Sequence, residues 1–328
     1  MTTDKLAVVG IGNAIVDIIA NADEKFLERH GMAKGGMTLI NQEQAEEIYG
    51  AMGSAVESSG GSAANTIAGI ASLGGRAGFI GKVKDDGLGS VFRHDITRAG
   101  VEFPTEADTD GPATARCLIL VTDDAQRTMN TYLGACANLH PADIDEALIA
   151  RAEIVYLEGY LFDPPHAKLA FRKAAKLAHE AGRKVALSLS DAFCVNRYRA
   201  EFIELIERDV DILFANELEL TALLECEFDQ AVGRIRHLVD LAAVTRGAAG
   251  SLLTTPRHVV TVPAAPVERV VDTTGAGDLY AAGVLHGLTT GAGLEECGRL
   301  GSLCAAEIIG HFGARPETPL DRFVAAAG

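Results

Sequence analysis

IVYLEGYLFDPPHAKLAFRKAAKLAHEAGRKVALSL, residues 154–189, decides the fold. A short apolar run at 154–157 is followed by a helix-length segment at 165–181 and a second apolar run at 184–189. The runs lack the polar alternation of a half-exposed strand, so both faces of each are expected to be buried. That is the signature of strand–helix–strand units in a parallel sheet. Downstream the rhythm continues, with a helix expected at 198–208 and strands at 212–214 and 241–245. The implied class is α/β, three layers with a mostly parallel central sheet.

Two stretches break this rhythm. Residues 14–20 with 36–40, and 113–121 with 127–133, read as extended pieces without intervening helices, beside turn signals such as Gly35-Gly36 and Asp123-Asp124. They are expected to form a small β-rich lid, from about 14–41 and 111–134, on a single domain spanning residues 1–328.

Composition narrows the function. With 328 residues, 48% hydrophobic content and a net charge of −16, the chain can bury a sizeable core but lacks the basic surface of a nucleic-acid binder. Any polyphosphate must then be held by local devices: backbone amides, a few arginines, a metal. Met1-Thr2-Thr3-Asp4-Lys5-Leu6 runs straight into an apolar stretch without a signal-peptide pattern, and no run approaches the roughly 20 apolar residues that span a bilayer. Cys117, Cys136, Cys194, Cys226, Cys297 and Cys304 show no Cys-x-x-Cys pairing, which reads as reduced thiols in a cytoplasmic protein.

The strongest chemical signal is Asp272-Thr273-Thr274-Gly275-Ala276-Gly277-Asp278, which follows an apolar run ending at Val271 and opens a helix. Gly275, Ala276 and Gly277 leave their amides open to close approach at a helix N-terminus, where unsatisfied N–H groups and the dipole favour an anion. Asp278, on the first turn, can accept the proton of an attacking hydroxyl. Gly60-Gly61-Ser62-Ala63-Ala64-Asn65 opens a second helix reaching about Leu73. Ser62 can cap it, and Asn65 offers both donor and acceptor to a ligand hydroxyl; close packing through small residues is the bland alternative.

Gly10-Ile11-Gly12-Asn13 lacks the third glycine and the following helix of a dinucleotide fingerprint, which weighs against a nicotinamide oxidoreductase. Asp17 lies within an apolar run, on the strand face of Ile15 and Ile19, where a carboxylate needs partners such as a sugar diol or a backbone cap. Asn216-Glu217-Leu218-Glu219 is either a capping box or, at a sheet's carboxyl edge, a holder of hydrated Mg²⁺. Thr245-Arg246-Gly247 ends another strand and can serve nucleotide phosphates. Arg127, after the Asp123-Asp124 turn, either closes over a transferred phosphoryl group or pairs with those aspartates on the surface. No Walker loop, His-Glu-x-x-His or Gly-x-Ser-x-Gly occurs, and the nine histidines are scattered.

In this order the motifs resemble the ribokinase-like (PfkB-type) carbohydrate kinase family along nearly the whole chain. The resemblance implies a ribokinase-like fold, ATP with Mg²⁺, and a monovalent cation such as K⁺ as an option. It implies Asp278 as base with Gly275, Ala276, Gly277 and Arg127 serving the transferred phosphoryl group. It implies Asn216 and Glu219 as the indirect Mg²⁺ and phosphate pair, Thr245 and Gly247 toward the nucleotide, and Asn13, Asp17, Gly61, Ser62 and Asn65 toward the acceptor hydroxyls. Gly12-Asn13-Ala14-Ile15-Val16-Asp17, Leu187-Ser188-Leu189-Ser190-Asp191-Ala192-Phe193 and His311-Phe312-Gly313-Ala314-Arg315-Pro316 are similar to the adenosine kinase branch. Met37, Leu39, Tyr160, Leu161 and Phe193 are then expected around the base of a nucleoside. A free-sugar kinase (ribose, fructose or a keto-sugar) and a catalytically silent nucleoside or sugar sensor are the competing readings. Monomer and homodimer both remain open, with neither nucleic acid nor membrane expected as a partner.

Overall fold

The computed structural model describes residues 5–124 and 126–325. Residues 1–4, read above as leading straight into a strand, lie outside it, and strand β1 begins at Leu6. Among the described residues fourteen strands occur in chain order: β1 Leu6–Ile11, β2 Ile15–Asn21, β3 Met37–Leu39, β4 Ala55–Gly60, β5 Ala77–Ile80, β6 Val101–Glu102, β7 Ala115–Val121, β8 Arg127–Tyr132, β9 Ala152–Glu158, β10 Lys184–Ser188, β11 Ile212–Asn216, β12 Leu241–Thr245, β13 Ser251–Thr254 and β14 Val259–Val262.

Nine of them form one sheet in the order β14-β13-β12-β11-β10-β9-β1-β5-β6, parallel from β12 to β6 with β13 and β14 antiparallel at one edge. Its strands are apolar on both faces because helices cover both. Val8, Ile154, Tyr156, Ala186, Ile212 and Phe214 join the core under helices Ser62–Ser72, Gly87–Arg98, Ala276–Thr289 and Leu294–Ile308. The alternate residues Val9, Val155, Leu157, Val185, Leu187 and Leu213 join a second core under Pro165–Glu180, Ala192–Asp209, Glu217–Leu224 and Phe228–Ile235. Fully burying each such Val, Leu or Ile contributes about 1.5–3 kcal/mol. This is the three-layer arrangement expected of continuous apolar runs.

The other five strands form a second sheet in the order β3-β8-β7-β2-β4. Two expectations are corrected here. A short helix, Glu24–Arg29 capped by Asp23, intervenes between β2 and β3. The sheet also takes β4, whose Ala-Val-Glu-Ser-Ser-Gly sequence carries too little apolar pattern to read as a strand. A third correction concerns the run ending at Val271: no strand occurs between Val262 and helix Ala276–Thr289. Among the described residues no helix is long and apolar enough to cross a membrane, and all six cysteines are free.

Candidate active site

Strands β1 and β9 are parallel neighbours, and the chain leaves β1 toward β5 on the opposite side. Such a reversal opens a crevice beyond the carboxyl ends of the strands. Two helices start at that crevice, Ser62–Ser72 and Ala276–Thr289, and pack through small residues such as Gly69 and Ala282. Their first turns meet: Ser62 Oγ donates to Asp278 Oδ1 at 2.6 Å, and Asn65 Nδ2 donates to Asp278 Oδ2 at 2.9 Å. Ser62 therefore does not cap its own helix; Gly61 occupies that position, at φ 96°. A side chain there would place its Cβ 2.2 Å from Asn13 O, so close approach as well as backbone angle requires glycine.

Burial raises the Asp278 carboxyl above its ordinary range, offset by the Ser62 and Asn65 bonds and by the Arg315 charge. Gly275 begins the helix at φ 78°, and the Ala276 amide closes the turn on Thr273 O at 3.2 Å. Of the three amides in the glycine-rich turn, those of Gly275 and Gly277 are left for an anion at the helix N-terminus. Asp17 stands opposite on β2, its side chain without a hydrogen bond among the described residues, and burial lifts its carboxyl to about 6 against the charges of Arg315 and Arg127.

Arg127 does not pair with the Asp123-Asp124 turn. Its side chain is 9% exposed, its Nη1 is paired with Asp272 Oδ2 at 2.8 Å, and its Nε and Nη2 have no partner among the described residues. Asp124 takes Lys34 instead, at 2.7 Å. Asp272 also accepts from Thr274 N at 3.1 Å, Thr274 Oγ1 at 2.8 Å and Gly313 N at 3.0 Å. One carboxylate thus ties β8 of the second sheet to the glycine-rich turn.

Asn216 and Glu219 form the full capping box: Glu219 N donates to Asn216 Oδ1 at 2.8 Å, and Asn216 N donates to Glu219 Oε2 at 2.9 Å. Glu219 is buried, which pushes its carboxyl up to about 7. Thr245 is the register partner of Asn216 on β12, and Gly247 follows it, so these four stand together at the carboxyl ends of β11 and β12. Of the five residues expected around a base, Met37 and Leu39 are about half exposed on the second sheet, at 50% and 47%. Leu161 is buried in the second core and does not line the crevice. Tyr160 lies near Asp191, Asp278 and Glu219, and Phe193 is exposed beneath Arg197.

Glu158 is the residue that sequence reading missed. It is 1% exposed at the end of β9 and accepts from Asn13 Nδ2 at 2.5 Å, Asn13 N at 3.3 Å and Ala63 N at 2.7 Å. Burial pushes its carboxyl from 4.5 up to about 7. The folded state therefore holds a proton that the unfolded chain has lost, and this group costs stability progressively as pH rises from about 4.5 through 7, on the order of 3 kcal/mol in full. Glu158→Gln cannot ionise, so its stability deficit against wild type should shrink between pH 5 and pH 7.5. Thermal unfolding of both proteins at the two pH values checks this; a deficit that stays constant or widens would remove Glu158 from the titrating set.

Comparison with known proteins gives these residues a context. The solved structure of adenosine kinase from Sinorhizobium meliloti superposes with a TM-score of 0.92 at 53% identity, covering 99% of this chain and 100% of that one. A probable sugar kinase from Rhizobium etli superposes equally well, TM-score 0.92 at 46% identity, with 99% of each chain covered. An ATP-dependent ribose-1-phosphate kinase from Halopiger xanaduensis is 32% identical over 269 residues, 82% of this chain and 86% of the relative. The fold is accordingly ribokinase-like. The family described as pfkB family carbohydrate kinase matches residues 8–320, and the chain belongs to that family.

Proposed function

We propose that this kinase transfers the γ-phosphoryl group of ATP to the ribose hydroxyl of a purine nucleoside, converting adenosine to AMP. The carrying observation is the Asp278 carboxylate, held by Ser62 and Asn65 where two helix N-termini converge. A hydroxyl placed against it has an acceptor for its proton, and the amides of Gly275 and Gly277 face charge developing on the transferred group. In a loose transition state the proton moves late, so the fixed position of Asp278 counts for more than its basicity. Arg127, with two unpartnered donors, completes the charge stabilisation as the second sheet closes as a lid.

Asn216 and Glu219 spend most of their hydrogen-bonding capacity on one another. Among the described residues no group of three acidic, His or Cys side chains could hold a metal directly. The remaining lone pairs on Glu219 suit a hydrated Mg²⁺ reached through water, which is how that ion is commonly held beside phosphates. Bound there, Mg²⁺ would shield phosphate charge during transfer.

The acceptor is inferred from the second sheet. Register puts Val56, Ile19, Ile119, Met129 and Met37 in one row across it, beside the row Ser58, Asp17, Cys117, Thr131 and Leu39. A ribose hydrogen-bonded to Asp17 would carry a purine along an apolar strip whose ends, Val56 and Met37, are exposed. Each Å² so buried contributes about 25 cal/mol, which a free sugar cannot supply. Adenosine should therefore exceed ribose, fructose and ribose 1-phosphate in kcat/KM by a wide margin. An ATP-turnover panel over these acceptors tests it. Comparable values for ribose or ribose 1-phosphate would move the enzyme to a sugar-kinase role, and absence of turnover with all of them would favour a silent sensor.

A further inference from the structure

Arg315 lies on the segment after helix Leu294–Ile308, and its guanidinium is fixed by neutral acceptors alone. Nε donates to Ser59 O at 3.1 Å, Nη2 to Ser59 Oγ at 3.0 Å, and Nη1 to Ala64 O at 2.6 Å. Ser59 is the penultimate residue of the second sheet's edge strand, whereas Ala64 lies in the first turn of the helix that bears Ser62 and Asn65. The fork thus spans the Gly60-Gly61 step between the two. The segment that delivers it is itself pinned. Glu307 Oε1 accepts from Glu317 N at 3.1 Å and Thr318 N at 3.0 Å, Gly313 N donates to Asp272, and Leu320 N donates to Ser72 Oγ at 3.0 Å.

Because no hydrogen-bond partner of Arg315 among the described residues is charged, its charge is not consumed in a direct ion pair there. Three carboxylates from three other elements face it: Asp17 on β2, Asp278 on helix Ala276–Thr289, and Asp95 on helix Gly87–Arg98. Asp95 is also the acceptor for Ser59 N, at 3.0 Å. Asp17 further faces Arg127, Asp278 and Cys117. Asp278 further faces Glu158, Glu219, Tyr156 and Tyr160. Arg127 is already paired with Asp272, and the remaining neighbours of Asp278 are acids or neutral phenols. Two carboxylates in one poorly hydrated crevice resist ionising together unless a cation is fixed beside them.

We propose that Arg315 is a positioning residue whose immobilised charge keeps Asp17 and Asp278 ionised at the same time, while its fork sets the angle between the second sheet and the helix carrying Ser62 and Asn65. The inference rests on the proposed reading in which those two carboxylates hold and deprotonate the acceptor. Burial raises both carboxyls; the Arg315 charge opposes that rise at Asp17, and at Asp278 it does so together with the Ser62 and Asn65 hydrogen bonds.

The test is the pH dependence of kcat/KM, with whichever acceptor the wild-type enzyme turns over, in Arg315→Gln, Arg315→Lys and Asp95→Asn. Thermal unfolding alongside establishes that each is folded. Both carboxylates must be ionised, so activity falls on the acid side. Arg315→Gln should move that acid limb up by on the order of one pH unit. Arg315→Lys keeps the charge without the fork, so the limb should stay while kcat/KM drops. Asp95→Asn removes an opposing charge but keeps an acceptor for Ser59 N, and it should move the limb down. A folded Arg315→Gln enzyme with an unmoved limb overturns the proposal. Should that variant not fold, Asp95→Asn decides alone: a downward shift upholds the proposal and an unmoved limb overturns it. An unmoved limb alongside a dead Asp278→Asn enzyme defeats only the role of Arg315, whereas an active Asp278→Asn enzyme defeats the underlying reading.

Discussion

Asp278→Asn should reduce turnover by on the order of 10²–10⁴-fold, the loss expected for a positioned base, while ATP and acceptor still bind. The substitution keeps the shape of the side chain and leaves one oxygen able to accept from Ser62 Oγ or Asn65 Nδ2. Its new amide faces the other of these groups, and Ser62 can rotate to accept from it, so the site is expected to hold together. What disappears is the capacity to take a proton in transfer. Because the loss arises only in the transition state, kcat and kcat/KM should fall together. Steady-state kinetics combined with calorimetric binding of both substrates checks this. Retention of more than about a tenth of wild-type activity would place the base elsewhere.

Arg127→Ala should lower kcat by on the order of 10²–10³-fold with little change in acceptor KM, as for loss of a donor that meets charge developing in transfer. The structure adds a second consequence. Arg127 is the charged partner of buried Asp272, so truncating it leaves a carboxylate supported only by Thr274 and the Gly313 amide. Breaking a buried pair from one side costs about 3–5 kcal/mol, and the thermal midpoint should fall accordingly. Kinetics must then be measured well below the new midpoint. A folded Arg127→Ala enzyme with wild-type kcat would reduce the residue to a clamp between β8 and the glycine-rich turn.

The parts of this molecule legible in sequence were those whose meaning is local. Continuous apolar runs gave the buried parallel strands because strand periodicity and helix cover act within a few residues. Asp272 to Asp278 declared itself because small residues, a helix start and an acid occur in one stretch. Asn216 and Glu219 were legible twice over, since the capping geometry and the proposed phosphate-side role use the same two side chains. What failed was long-range. Ser62 looked like a cap because its real partner is 216 residues away. Glu158 went unread, because its importance arises only when Asn13, 145 residues distant, arrives beside it. For Arg127 the sequence offered Asp123 and Asp124 as surface partners, whereas packing brings Asp272, 145 positions along the chain, beside it. β4 escaped notice because its place in the sheet is fixed by pairing with β2 rather than by its own residues.

The convergence of helices Ser62–Ser72 and Ala276–Thr289 also bears on how the chain comes off the ribosome. The earlier helix is apolar nearly all round, with Ala63, Ala64, Ile67 and Ile70 fully covered in the finished protein. Part of that cover is the later helix, and the bond from Ser62 to Asp278 spans 216 residues. At 5–20 residues per second the nascent chain waits roughly 10–40 s between making one helix and making its partner. The contact from Arg315 back to Ser59 spans 256 residues and closes later still. Throughout that interval the first helix presents an uncovered apolar flank, so a partial translation product is an aggregation hazard that needs shielding until the last turns of the chain arrive.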